Sequence, residues 1–296
     1  MYSNIAVNKR RSLIIIGVFL LIGFGISYAV GYVYNDYTLT VSATIGCFAY
    51  ALLQYYAADH IALSLSGACQ VSKSDCPELW HVVENLSIAS GMPMPKVYVI
   101  QDNAPNAFAT GRNPEHSSIA VTTGLLDIMS KRELTAVLSH ELSHVKNYDI
   151  RVNMIVFGLS CAIGLICDTV LRMRFYSRNR DNNSSNSSVA AVQALLMVCS
   201  ILAPIVLKLL QLAISRQREY LADASGALMT RDPEGLANAL EKIKDYTKPM
   251  QRQHAALAPL YFNDPSGKEA WITRLLSTHP PIDDRIKRLR DSLNKM

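Results

Sequence analysis

The sequence predicts a mainly helical α+β integral-membrane protein. Three observations lead there: two pairs of long apolar segments, strand-like runs confined to the stretch between the pairs, and an amphipathic helix with two histidines four residues apart. Half of the 296 residues are hydrophobic, only 18% are charged, and the mean hydropathy is +0.13, which is apolar for a soluble enzyme. The net charge of +5 comes without a basic low-complexity run, which argues against a nucleic-acid partner. Of the six cysteines, Cys47, Cys161, Cys167 and Cys199 fall in apolar segments, and only Cys69 and Cys76 lie in a polar region. No disulfide framework is implied, and Cys161 and Cys167 read as small packing residues rather than metal ligands.

Lys9-Arg10-Arg11 precedes an apolar run from Leu13 to about Tyr32, long enough to cross a bilayer. It exceeds an ordinary signal-peptide core, and a second apolar segment, about Thr38 to Ala57, follows at once, so it reads as a retained anchor. The turn between them carries Asn35 and Asp36 and no basic residue, which puts the N-terminus and the chain after Asp59 on the cytoplasmic side. Residues 1–58 thus form a transmembrane hairpin.

Residues 59–151 read as a cytoplasmic part. Pro77 to Ser90 carries Leu79, Val82, Val83 and Leu86 at helical spacing, with Pro at the first turn and Gly91 as a breaker. Lys96 to Ile100, Asn106 to Gly111 and Ser118 to Thr122 read as strands of a small sheet, and Gly124 to Met129 as a short helix. Lys131 to Leu138 holds good helix formers and an apolar stripe at Leu134, Val137 and Leu138, so the following Ser139-His140-Glu141-Leu142-Ser143-His144 sits on a helix.

That stretch reads H-E-x-x-H. Residues four apart share a helix face, so His140 and His144 can grip one ion. Zinc suits two neutral imidazoles plus a third protein ligand, with a position left for water. Glu141 is placed to take that water's proton as general base. A chance match on an amphipathic helix is expected on the order of once in a hundred chains of this length, so a third ligand matters. Glu219 and Asp223, again four apart, are the candidates. Glu219 could complete the ligand set, and Asp223 could receive the free ring N–H of a ligating histidine. The competing reading pairs these carboxylates with Arg216 or Arg218 on an exposed helix.

Residues 152–214 read as a second hydrophobic hairpin, Val152 to about Leu171 and Val189 to about Ile214, around a loop with four arginines and an Asn/Ser-rich run from Asp181 to Ser188. The arginines put the positive-inside rule at odds with two crossings, but both segments meet the length requirement, so spanning is preferred to a re-entrant pair. In residues 215–296, Pro233 to Lys244 reads as a helix, Tyr246 to Lys268 as a polar loop, and the segment after Ser277 as a lead into a basic helix with Ile286, Leu289 and Leu293.

The ordered set G-M-P-M-P-K-V-Y-V-I, N-A-F-A-T-G, H-E-L-S-H-V-K-N-Y-D, S-R-Q-R-E-Y-L-A-D-A and T-H-P-P-I-D-D-R-I, with the two apolar pairs, resembles the HtpX-type membrane zinc endopeptidases, relatives of the prenyl-protein proteases. The resemblance covers nearly the whole chain and implies a zincin-like catalytic domain. It makes His140, His144 and Glu219 the ligands of one zinc ion per subunit and Glu141 the base. It implies further that Asn106, Ala107, Phe108, Ala109, Thr110 and Gly111 form an edge strand to which a peptide adds by backbone pairing. Asp223 matches a supporting acid, and His279 and Arg285 match a His-Pro…Arg element near the cleft, where they could polarise the scissile carbonyl or its oxyanion. The expected protein is a multi-pass cell-membrane metalloendopeptidase acting in the cytoplasm on misfolded or damaged membrane proteins in protein quality control. The alternative is a non-proteolytic, zinc-containing scaffold or chaperone-like peptide binder. Oligomeric state is not implied.

Overall fold

The computed structural model describes residues 2–162, 216–252, 254, 256–263 and 280–293. It opens with two long helices, α1 (Tyr2–Tyr34) and α2 (Tyr37–Ser66), packed as an antiparallel hairpin. Asn35 takes a left-handed conformation (φ 49°), and Asp36 caps α2 by accepting from the Thr38 amide at 2.8 Å. Lys9-Arg10-Arg11 does not stand before α1 but inside it, because these are good helix formers and no breaker separates them from Leu13. Ile5–Ala29, with a mean hydropathy of 2.3, is the one helical stretch among the described residues that is long and apolar enough to cross a bilayer. The second expected span lies in α2, where Thr38, Thr40, Ser42, Thr44 and Gln54 dilute the apolar residues below that mark. α2 continues beyond Ala57 to Ser66, where Ala58, Ala62 and Leu63 enter the core beside the sheet.

The sheet is mixed, in the order β1 (Ala68–Gln70), β2 (Lys96–Ile100), β4 (His116–Thr122), β3 (Ala107–Asn113). β2 and β4 run parallel, the outer pairs are antiparallel, and β3 is an edge. Gly111 sits at a register shift between β3 and β4 with φ 132°, and a Cβ there would collide with the His116 carbonyl, so only glycine fits. Alternation splits the core in two. Val97, Val99, Ala107, Ala109, Ile119 and Val121 face α3 (Pro77–Ser90) and the metal helix described below. Tyr98, Ile100, Phe108 and Ala120 face the end of α2, a helix over 149–162 and the segment around Leu257–Tyr261.

α4 (Thr123–Ile128) leads into α5 (Lys131–Lys146). α5 starts on a capping box in which Ser130 and Glu133 satisfy each other's backbone amides, and its apolar stripe lies against the sheet. The helix over 149–162 is α6. α7 (Arg216–Thr230), α8 (Pro233–Asp245) and α9 (Ile282–Leu293) close the far side of α5, with Leu236, Leu240, Ile243, Ile286 and Leu289 buried between them. Most of the second apolar pair, the Asn/Ser-rich run and His279 lie outside the described residues.

The stretch expected as a polar loop after Tyr246 is instead partly core. Met250, Leu257, Tyr261 and Phe262 are buried, and a short 3-10 turn (Ala258–Leu260) precedes the two aromatics. Four apolar side chains scattered among polar residues and Pro259 gave no clear signal in the sequence, yet their burial holds this segment against β3.

Candidate metal centre and active site

α5 and α7 cross so closely that a Cβ on Gly226 would lie 2.9 Å from the His140 amide nitrogen and 3.1 Å from its Cα. Glu219, Asp223 and Gly226 occupy successive turns of one α7 face, so this contact brings both carboxylates onto the histidines of α5. The imidazole Nε2 atoms of His140 and His144 are 3.2 Å apart, and the Glu219 carboxylate lies 3.6 Å from the first and 3.5 Å from the second. All three residues are buried. Ligands about 2.0–2.1 Å from a tetrahedral zinc lie roughly 3.3–3.4 Å from one another, so the three spacings fit one ion.

The chemistry of the donors makes the same case. His140 Nδ1 is 2.9 Å from Asp223 Oδ1, and His144 Nδ1 is 3.0 Å from Asp149 Oδ2. Carboxylates accept, so each Nδ1 carries the ring proton and each Nε2 presents a lone pair. Two lone pairs and a carboxylate then converge without a donor among them, an arrangement that calls for a cation. When no cation is bound, a proton takes that part. Burial favours the neutral His140 ring, but the bonds to Asp223 and Glu219 outweigh it and raise its pKa to about 9. Burial likewise opposes ionised Asp223, yet Arg285 and His140 bring it down to about 2. The imidazolium must lose this proton when metal binds. Apparent zinc affinity is therefore expected to rise about tenfold per pH unit toward pH 9 and then to level, read by chelator-competition titration across pH. A flat profile from pH 6 to 9 would contradict the protonated His140.

Glu141 is buried, and its Oε2 accepts the Ala109 backbone N–H at 3.0 Å, which fixes the carboxylate between the metal helix and β3. Arg285, 1% exposed, forks onto both oxygens of Asp223 at 2.9 and 2.7 Å and stacks over Phe262. It thus stands behind His140, holding the acid that holds the ring. Arg218 pairs with Asp149, 3.3 Å away, so the competing reading that assigned it to Glu219 or Asp223 is not what the fold adopts. Of the six strand residues, Asn106 and Ala107 are engaged by the chain itself. The Asn106 amide bonds both the N–H and the C=O of Asn263, and the Ala107 carbonyl accepts the Phe262 N–H at 2.8 Å. Phe108 meets Tyr261 edge-on, and Thr110 donates to Met154 Sδ.

Asp149 went unassigned in the sequence, although it stands in the quoted H-E-L-S-H-V-K-N-Y-D stretch. The signal was an acid five residues beyond His144, just past the end of α5, where a turn can fold it back onto the ring.

The peptidase family M48 model matches residues 73–293, which include every residue of this site. The chain belongs to peptidase family M48. This M48 peptidase is 47% identical to the "Protease HtpX homolog" of Tropheryma whipplei (strain TW08/27), over 100% of this chain and 99% of that protein. It is 41% identical to the protein of the same description from Streptococcus gordonii, over 98% of this chain and 99% of the relative. The crystal structure of S. mikatae Ste24p shares its fold, with a TM-score of 0.53 at 19% identity, over 98% of this chain and 67% of that one. This M48 peptidase is a membrane-associated metalloprotease, and the non-proteolytic scaffold reading is set aside.

Proposed function

We propose that the protein is an integral-membrane zinc endopeptidase that cuts membrane proteins, misfolded or damaged ones among them, at the cytoplasmic face, as a quality-control activity. The observation that carries this is the convergence of two histidine lone pairs and the Glu219 carboxylate beside Glu141 and the edge strand. His140, His144 and Glu219 are the ligands. Zinc held there supplies Lewis acidity toward a peptide carbonyl and an attacking water. Glu141 takes the proton of that water on its carboxylate and passes it to the departing amine, while Ala109 N–H keeps the carboxylate aimed. Asp223 and Asp149 keep both ligand rings in the tautomer that offers Nε2, and Arg285 steadies Asp223. A peptide that pairs with β3 competes with Phe262 for the Ala107 carbonyl, so binding includes displacement of that contact.

The membrane side of the proposal rests on α1 and α2. Leu13, Leu21, Ile45 and Phe48 are exposed on them, as lipid-facing residues would be. The basic residues near one end of α1 and the basic-free Asn35-Asp36 turn at the other support a cytoplasmic side for both ends of the hairpin and, with them, for the metal helix. Two crossings by this pair and a second spanning pair over 152–214 complete the proposed topology, with 59–151 and 215–296 as the cytoplasmic catalytic parts. The test uses the full chain in proteoliposomes with a destabilised multi-pass membrane protein and its stable parent. Chelator-sensitive cleavage of the destabilised form is expected, and equal cleavage of both would remove the quality-control reading. Single cysteines replacing the exposed Glu115 and Lys287, in a chain lacking native cysteines, are expected to react only from the cytoplasmic side of cells. Reaction of either with an impermeant reagent added outside would overturn the topology.

A further inference from the structure

α1 does more than anchor. Asn8 is 3% exposed although it stands beside Lys9, Arg10 and Arg11, all on the exposed side of the helix. Both donors of its amide are used, one on the Asn147 carbonyl at 2.9 Å and one on Asp149 Oδ1 at 2.8 Å. The other oxygen of Asp149 holds His144 Nδ1. Asp149 is itself 2% exposed, and among the described residues Asn8 and Arg218 hold one of its oxygens and His144 the other. The turn that returns Asp149 to the ring is sharp. It passes through Tyr148 at φ 60°, a left-handed conformation uncommon for a tyrosine, and Lys9 lies over the Tyr148 ring with its Nζ 4.6 Å from the centroid. Two neighbouring residues of α1 therefore grip the turn that aims the carboxylate.

We propose that Asn8 is a positioning residue for the metal centre, acting through Asp149 to fix the ring of His144 and so linking the apolar anchor helix to the hydrolytic site by one chain of hydrogen bonds. Removal of the amide donor leaves that buried oxygen to the longer Arg218 contact at 3.3 Å, so the carboxylate and the Nδ1–H bond that sets the tautomer of His144 are held less firmly. A ligand ring loosely held binds metal more weakly and in a more variable geometry.

The proposal rests on His144 being a metal ligand, so the experiment reads the metal directly. Full-length wild type, Asn8→Ala, Asn8→Asp, Asp149→Asn and the double variant Asn8→Ala/Asp149→Asn are purified in detergent. Zinc affinity is measured by chelator competition, and the cobalt-substituted proteins give visible ligand-field spectra. Asn8→Ala is expected to weaken zinc roughly tenfold, the low end of the range for outer partners, and to shift the cobalt bands. Asn8→Asp keeps the size but turns both donors into acceptors facing acceptors, and is expected to lose more. In the Asp149→Asn background the Asn8→Ala change is expected to cost little further, because the path runs through Asp149. Ser12→Ala, one turn along the same buried face, removes a hydroxyl that donates to the Asn8 backbone carbonyl and not to its side chain; it controls for helix packing and is expected to keep wild-type affinity. Wild-type affinity and spectra in both Asn8 variants would overturn the proposal. So would full additivity with Asp149→Asn, or an equal loss in Ser12→Ala. A wild type that binds no zinc would instead refute the site assignment itself, and the two failures are thereby told apart.

Discussion

Glu141→Gln is expected to keep its metal and lose peptide hydrolysis by about 10²–10⁴-fold in kcat. The substitution is nearly isosteric, and the amide oxygen of glutamine can still accept the Ala109 N–H that the carboxylate accepts at 3.0 Å, so the contact between α5 and β3 survives. What the amide cannot do is take a proton from water and return it to a leaving amine. Glu141 also sits outside the trio of converging donors, so the ligand set is unchanged. Casein or a quenched peptide serves as substrate, with zinc content determined on the same preparation. Wild-type turnover at full zinc occupancy would show that another group is the base.

The second large effect is expected from Glu219→Ala. Its carboxylate lies 3.5–3.6 Å from both Nε2 atoms and is the only anionic member of the trio, so truncation removes a ligand and half the reason for the histidines to stay together. Zinc affinity should fall by more than the roughly 10–100-fold that loss of an outer partner costs, and activity should fall with it. Asp223→Asn, which leaves the three ligands in place, supplies the comparison on the same scale. A Glu219→Ala protein that holds zinc as tightly as Asp223→Asn would show that the third ligand comes from elsewhere.

Much of the fold could be read in the sequence wherever a local device defines the element. Pro77 at the first turn and Gly91 in the left-handed C-terminal position bound α3 where expected, and the apolar run of β2 is bounded by Pro95 and a turn. The two histidines were legible because a helix converts a spacing of four into a shared face. Glu219 and Asp223 were legible for the same reason, but their meeting with α5 depends on the close approach at Gly226, which no spacing announces. Asp149 and Asn8 were missed because their roles come from a turn and a helix packing 139–141 residues apart in sequence. β1 was missed as well: three residues are too few to display alternation, and Ala68–Gln70 is a strand only because β2 pairs with it. The burial of Tyr261 and Phe262 in a polar neighbourhood belongs to the same class, since it is β3 that calls them in.

The carboxylates around the histidines can also be counted as charges. Glu141, Asp149, Glu219 and Asp223 are all buried, and among the described residues Arg218 pairs with Asp149 and Arg285 with Asp223. Negative charge thus converges on the two histidines, and a divalent ion held there would offset part of it. Without it, a proton on His140 takes that part in surroundings too dry to screen the carboxylates well. A cation bound by His140 and His144 of α5 and Glu219 of α7 would therefore tie the two helices together. Stripping the ion would loosen the seam between α5 and α7 as well as stop the chemistry, so a chain that has lost its metal would become less well folded at the place where it cuts others.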